Sequence, residues 1–297
     1  MTDSRNEMTP RPFRFAVGFS AAGSRAEWQD KARRAEDLGF DVVQIPDHLG
    51  MTSPFPTVIS MAEATSRVRV GTMVLNAGFY RPALLARDVA TVDQLTDGRF
   101  EFGIGAGPDF AKPEFEVAGL PFPSGRQRID NLRDTIGEIR TLFANGHEPP
   151  VARRIPLLVA GRGDRLVRVA AEHADTVSLA GVPVAADIDS EAAGTAALGR
   201  RVEFVRAAAG ERVDRLELGL MVQGVNVQGV DTDLSPARRF NPDLTEAQLP
   251  YLPGVLTGSA PDIADTLRHY RDAYSVTHYA VPETGMTALA KVIAQLR

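Results

Sequence analysis

The sequence predicts a (β/α)8 barrel, also called a TIM barrel, and three observations carry the prediction. Short β-prone runs and helical segments alternate eight times along 297 residues, and strict alternation implies parallel strands joined by right-handed crossovers. No linker interrupts the series, and eight units in this length suit one closed barrel. Glycines and polar residues gather at the C-terminal ends of the strands, where barrel sites form. A doubly wound open sheet is the competing reading. It needs fewer strands, or a break into two domains.

The elements follow in order. "FRFAVGFS" (13–20) is an apolar run ending in small residues, as a buried strand does. In "SRAEWQDKARRAEDLGF", Ser24 stands three residues before Glu27, the spacing of a capping box, and Gly39 closes the helix. "DVVQIPDHL" is a strand that stops at Pro46, "PTVISMAEATSR" is helical, and "VRVGTMVLNAG" (68–78) is the third strand. Pro82 opens and Gly98 ends the next helix, which makes "RFEFGIGAG" the fourth strand. Its helix carries Ile129, Leu132, Ile136, Ile139 and Leu142 on one face. "IPLLVAGRG" with "DRLVRVAAEHA" is the fifth unit, and "DTVSLAG" with "DSEAAGTAALGRRVEFVRAAAG" is the sixth. "RLELGLMVQGVNV" is the seventh strand. Ser259 and Asp262 cap its helix, and "THYAVPE" and "MTALAKVIAQLR" complete the eighth unit. Residues 1–12 read as a flexible N-terminal segment before a single barrel domain, 13–297. Residues 223–256 are an insertion between the seventh strand and its helix, on the face where barrel sites lie; a lid and a disordered loop both suit it.

Composition bounds the function classes. At 44% hydrophobic, 24% charged and net charge −5, the chain is an ordinary globular protein without the basic face of a nucleic-acid binder. The absence of cysteine excludes disulfides, thiolate metal sites and a Cys nucleophile. No secretory leader and no run of about 18 apolar residues is visible, so a cytoplasmic protein without a membrane partner is expected. No His and carboxylate set shares the strand ends at ligand spacing, so no metal is expected.

"RFEFGIGAGPD" places Gly103, Gly105 and Gly107 in a G-x-G-x-G run. A dinucleotide fingerprint needs its third glycine three residues after the second, in the first βαβ unit, with an acidic residue about 20 positions on. Here the third glycine comes early, Pro108 stands where it should be, and the run lies in unit four. The dinucleotide reading fails. A second cluster, "AGRGD" (160–164), ends the fifth strand, with Gly161, Arg162 and Gly163 ahead of a helix. Exposed N–H groups at a helix N-terminus form an anion cradle, although either cluster alone also reads as a turn. Asp47 and His48 close the second strand, and His48 alone among five histidines lies on the catalytic face; a solvated loop histidine is the bland alternative. Asn76, ending the third strand, suits contact with a planar ligand or an ordinary polar strand end.

From residue 13 to about 290 the chain resembles the bacterial luciferase-like superfamily of flavin and deazaflavin oxidoreductases, and within it the branch that uses coenzyme F420. The resemblance is carried by "AEDLGFDVVQIPDHLG", "RVRVGTMVLNAGFYRPALLARDVATVDQLTDGRFEFGIGAG", "AGLPF" and "PLLVAGRGDRLVRVAAEHADTVSL". It implies an isoalloxazine ring in the barrel mouth, with Asp47 and His48 as the catalytic Asp-His pair that contacts the ring and gives or takes a proton. It further implies a non-prolyl cis step at Met73–Val74 behind the ring, and Asn76 near the cofactor. Gly105, Ala106 and Gly107, with Ala160, Gly161, Arg162 and Gly163, are implied to hold the cofactor side chain and phosphate. Arg126, Arg128, Arg153, Arg154 and Arg162 are candidate partners for the polyglutamate tail. The implied activity is hydride transfer between the deazaflavin C5 and a small or medium organic substrate, with reduction of C=C, C=N or C=O expected. An FMN-dependent monooxygenase is the alternative on the same barrel, and a non-catalytic flavin-binding protein is a third. Homodimerisation is implied by the resemblance alone. One departure stands out: the sugar-phosphate dehydrogenases of this branch carry an acidic proton donor where this chain has Pro108, which speaks against that activity.

Overall fold

A strand carries main-chain donors and acceptors on both edges, and β1 (Arg14–Gly18) uses both, lying parallel to β2 (Val42–Ile45) and to β11 (Val276–Pro282). In the computed structural model, which describes residues 11–21, 23–151, 153–228 and 234–297, the parallel pairing continues around a full circle. The remaining staves are β3 (Arg69–Thr72), β4 (Leu75–Asn76), β5 (Phe100–Gly105), β6 (Leu157–Gly161), β7 (Thr176–Leu179) and β8 (Glu217–Met221). Their order is β3-β2-β1-β11-β8-β7-β6-β5-β4, and β3–β5 pairing closes the ring. The expected closed (β/α)8 barrel is therefore present among the described residues. Residues 1–10 of the expected N-terminal segment lie outside them.

The outer layer follows the predicted helices: α1 (Arg25–Asp37), α2 (Pro54–Glu63), α3 (Pro82–Leu95), α5 (Gly125–Ala144), α6 (Asp164–His173), α7 (Glu191–Ala209), α9 (Ala260–Tyr274) and α10 (Met286–Ile293). Capping boxes form at Ser24–Glu27 and Ser259–Asp262, and a further one at Ser124–Gln127. Each satisfies backbone donors that a helix start leaves unpaired. A single turn, α4 (Lys112–Val117), adds to the predicted set between β5 and α5. No helix among the described residues is long and apolar enough to cross a membrane.

Two strands differ from expectation. The third, read as one run over 68–78, is two pieces, β3 and β4, separated by a cis Met73–Val74 peptide. The seventh, read as continuous through Val227, changes sheets. Val222 N donates to Ala280 O at 2.7 Å inside the barrel, and the next amide, Gln223 N, donates to Gly254 O at 2.6 Å outside it. Beyond that point β9 (Gly224–Val227) pairs in parallel with β10 (Val255–Gly258) as a separate small sheet. The insertion also holds α8 (Ser235–Phe240). Leu244, Leu249 and Leu252 turn into an apolar cluster with Ile188, Ala237 and Val255. Residues 229–233 of the insertion lie outside the described residues.

The lumen has two zones. Ala16, Val42 and Ala280 pack together with Met73 against them. Nearer the N-terminal ends, Arg14 reaches across to pair with Glu101 on β5 and donates to Glu217 on β8 at 2.7 Å. Arg69 Nε donates to Glu101 at 2.6 Å, and Thr176 Oγ1 donates to Glu217 at 2.8 Å. His278 is fully buried at this level, and neither ring nitrogen has a hydrogen-bond partner among the described residues.

That burial makes His278 a source of acid sensitivity. Burial lowers its pKa below the ordinary 6.5, against the pull of Glu217, Glu101 and Asp41 and with the repulsion of Arg14. The folded chain keeps the ring neutral where the unfolded chain protonates it. The contribution to stability is complete above pH 6.5 and is lost as the pH falls through that value toward the depressed folded one. The urea midpoint should therefore decline as pH drops below 6.5, with a shallower decline in His278→Gln. Equal slopes for the two proteins would assign the acid sensitivity elsewhere.

Candidate active site

The C-terminal strand ends bring Asp47, His48 and Asn76 together. β2 stops at Ile45 because Pro46 follows, and the chain turns across the barrel mouth through Asp47 and His48. Asp47 Oδ2 accepts from Asn76 N at 3.0 Å and from Tyr80 Oη at 3.0 Å, which ties the β2 end to the broken third stave. Burial pushes the Asp47 carboxyl above the usual range, against the lowering effect of those two bonds and of His48. Burial also pushes the Tyr80 phenol well up, reinforced by the Asp47 charge, so the hydroxyl stays protonated as a donor.

His48 Nδ1 lies 2.8 Å from Glu114 Oε1, and Glu114 Oε2 accepts from Leu49 N at 3.0 Å. The imidazole stacks on Phe110 with ring centres 5.8 Å apart. Glu114 comes from α4, the turn the sequence reading did not anticipate. Glu114, Tyr80 and Phe110 are the site residues that reading missed.

The first glycine cluster packs the barrel wall beside the mouth. Thr72 Oγ1 donates to Gly103 O at 2.7 Å and accepts from Gly103 N at 3.0 Å, so closely that a Cβ on Gly103 would overlap the Thr72 carbonyl. A Cβ on Gly105 would lie 2.7 Å from Val74 Cγ2. Gly107 (φ +76°) rests against the Asn76 amide, whose Oδ1 accepts from Gly78 N at 3.1 Å. These glycines let β5 press against the cis-broken stave. Ala106 is buried between them.

The second cluster is more open. Ala160 is half-buried, and Gly161 is closed off by Leu166. Gly163 is the N-cap of α6, with no side-chain cap and nothing within 4 Å of where a Cβ would stand. An uncapped N-terminus beside open space fits an anion. Below the mouth, Gln44 is buried with neither amide atom partnered among the described residues. It shares the lumen face with Val42 by strand alternation, and its register neighbours are Gly18 and Gly71. A bound group with a polar edge fits that orphaned amide.

The arginines separate. Arg162 Nη1 donates to Phe240 O at 3.0 Å, fastening the β6–α6 turn to the insertion. Arg126, two residues into α5, forms part of the positive charge around Asp130. Arg128 is buried, paired with Asp109, donating to Pro123 O at 2.8 Å, and stacked 4.4 Å from the Phe122 ring centre. Arg153 and Arg154 correct the expectation of a tail partner. They lie with Arg140 on an apolar cavity of about 460 Å³ at the N-terminal ends of β5, β6 and β7. Arg154 pairs with Asp175 just ahead of β7. That is the opposite end of the barrel from Asp47, because parallel staves point one way.

Comparison with known proteins adds four likenesses. The pattern that defines the family described as luciferase-like monooxygenase matches residues 11–225. The chain is 35% identical over 141 residues to F420-dependent glucose-6-phosphate dehydrogenase of Amycolatopsis mediterranei, covering 43% of this chain and 42% of that protein. It is 25% identical over 175 residues to 5,10-methylenetetrahydromethanopterin reductase of Archaeoglobus fulgidus, covering 55% and 52%. The chain thus spans about half the length of the curated relatives it matches. Among solved structures, an F420-dependent secondary alcohol dehydrogenase in complex with an F420-acetone adduct superposes with a TM-score of 0.71 at 17% identity, covering 97% of this chain and 100% of that one. At that identity the likeness shows a shared fold.

Proposed function

The chain belongs to the luciferase-like monooxygenase family, and from that premise we propose that it is an F420-dependent oxidoreductase that reduces a small organic substrate. The observation that carries the cofactor is the 35% identity to an F420-dependent dehydrogenase over a segment of 141 residues. The dehydrogenase named for secondary alcohols shares the cofactor while acting on a different substrate, so the cofactor is the more transferable property. Reduction is favoured by the likeness to a reductase and by Pro108, which leaves the position after the glycine run without an acidic group.

The residues present fit such a group. Gly163 and the uncapped α6 N-terminus would receive the phosphate. Gln44 and Asn76 would meet polar edges of the ring system, with the Met73–Val74 step behind it. Bound F420 supplies a hydride donor or acceptor at C5 of its deazaflavin ring. Asp47, held by Asn76 and Tyr80, keeps the β2 end in one position, and His48 gives or takes the proton at its Nε2. The insertion, fastened through Arg162 to Phe240, limits water at the mouth.

The test is equilibrium binding of F420 and of FMN to the purified protein, followed by cofactor fluorescence. F420 should bind at least tenfold more tightly, about 1.4 kcal/mol. A preference for FMN would overturn the proposal in favour of an oxygen-consuming monooxygenase. Binding of neither would also overturn it and leave the glycine loops as turns only.

A further inference from the structure

We propose that Glu114 is a positioning residue that selects the tautomer of His48, leaving Nε2 as the ring nitrogen that exchanges a proton. The inference rests on the reading of His48 as the proton-handling group, and it makes a claim about the free protein that can be checked separately.

The Glu114 carboxylate has two partners of different character. Oε2 accepts from Leu49 N at 3.0 Å, and a backbone amide has no choice but to donate. Oε1 faces His48 Nδ1 at 2.8 Å, and a carboxylate can only accept there. Nδ1 must therefore carry the hydrogen, and in the neutral ring Nε2 carries the lone pair. No described residue forms a hydrogen bond to Nε2. Stacking on Phe110 restricts the ring plane. Both partners of the pair are largely shielded, with 25% and 17% of their side-chain surfaces exposed. This is the arrangement in which a carboxylate orients an imidazole and fixes which ring nitrogen carries the hydrogen. The neutral ring takes a proton at Nε2 and returns the same proton from the imidazolium, while Glu114 holds the Nδ1–H throughout.

The contact depends on α4. Lys112–Val117 carries Glu114 on a single helical turn opened at Pro113, and Phe115 anchors that turn by packing on Phe79 and Phe122, at 4.9 and 5.1 Å between ring centres. The carboxylate is thus presented from a fixed support and not from a free loop.

The decisive variant is Glu114→Gln. The amide has one acceptor and one donor end, and Leu49 N–H requires the acceptor. The NH2 end is then turned to His48 Nδ1, which must become an acceptor, so the hydrogen moves to Nε2. Long-range 15N–1H NMR of the cofactor-free protein, with His48 assigned by its loss in His48→Asn, reads this directly at a pH where the ring is neutral. The wild-type ring should be the Nδ1–H tautomer, and Glu114→Gln should invert it to Nε2–H. A wild-type ring already in the Nε2–H form overturns the proposal without any variant, and so does a tautomer unchanged in Glu114→Gln. Turnover with F420 and substrate tests the underlying reading: a fall of tenfold or more at unchanged F420 affinity supports a proton route through Nε2. Inversion with turnover intact would remove His48 from the chemistry while the Glu114 clamp stands.

Discussion

Replacing His48 with asparagine is expected to lower turnover by about 10²- to 10⁴-fold, the usual cost of losing a positioned acid–base group, while F420 affinity stays close to that of the wild type. Asparagine keeps an N–H that can donate toward Glu114 Oε1, and Leu49 N still has Glu114 Oε2, so the loop between Asp47 and Met51 keeps its anchor. The uncapped α6 N-terminus at Gly163 lies on a different pair of elements and is not touched. What disappears is the exchangeable ring proton. Single-turnover kinetics beside a binding titration separates the two effects. Turnover at the wild-type level would take His48 out of the mechanism, and a joint loss of binding and rate would mean that the ring serves the cofactor's seat instead.

The second large effect is on stability. Glu101→Ala should destabilise the fold by about 3–5 kcal/mol, the range found when one member of a buried ionic group is removed. Glu101 is 3% exposed and accepts from Arg14, across the lumen, and from Arg69 Nε at 2.6 Å. Its loss leaves two guanidinium groups facing each other inside the barrel, with Glu217 as the remaining counter-charge for Arg14. Their mutual repulsion adds to the missing bonds. Urea unfolding at neutral pH measures the change. A loss below about 1 kcal/mol would place the network with surface ion pairs and would mean that water reaches Arg14 and Arg69 from the N-terminal side, where their side chains are 26% and 30% exposed.

Much of the barrel is legible in the sequence because its signals are local. Ser24 with Glu27 and Ser259 with Asp262 announce helix starts within four residues, and Gly39 and Gly98 end helices with positive φ. The site is legible where it lies at a strand terminus, as Asp47, His48 and Asn76 do. Glu114 is not, because 66 residues separate it from His48 and only closure of the ring brings them together. Its support, six residues with a proline near the start, is too short to show a helical period. The break after Met221 is hidden for another reason. Apolar residues continue from Leu216 to Val227, and alternation does not say which sheet a residue joins. Arg153 and Arg154 mislead when charge alone is weighed: they stand just ahead of β6, and a segment leading into a strand lies at the N-terminal end of a parallel barrel, away from the candidate site.

The cross-lumen ion group gives the barrel a floor. A passage sealed below is a cul-de-sac, with a single doorway that serves for both arrival and departure. Two visitors that must meet inside it cannot pass one another. On the proposed function, the visitor seated deeper enters first and leaves last, an order that follows from the closure Arg14, Glu101 and Glu217 make beneath the mouth.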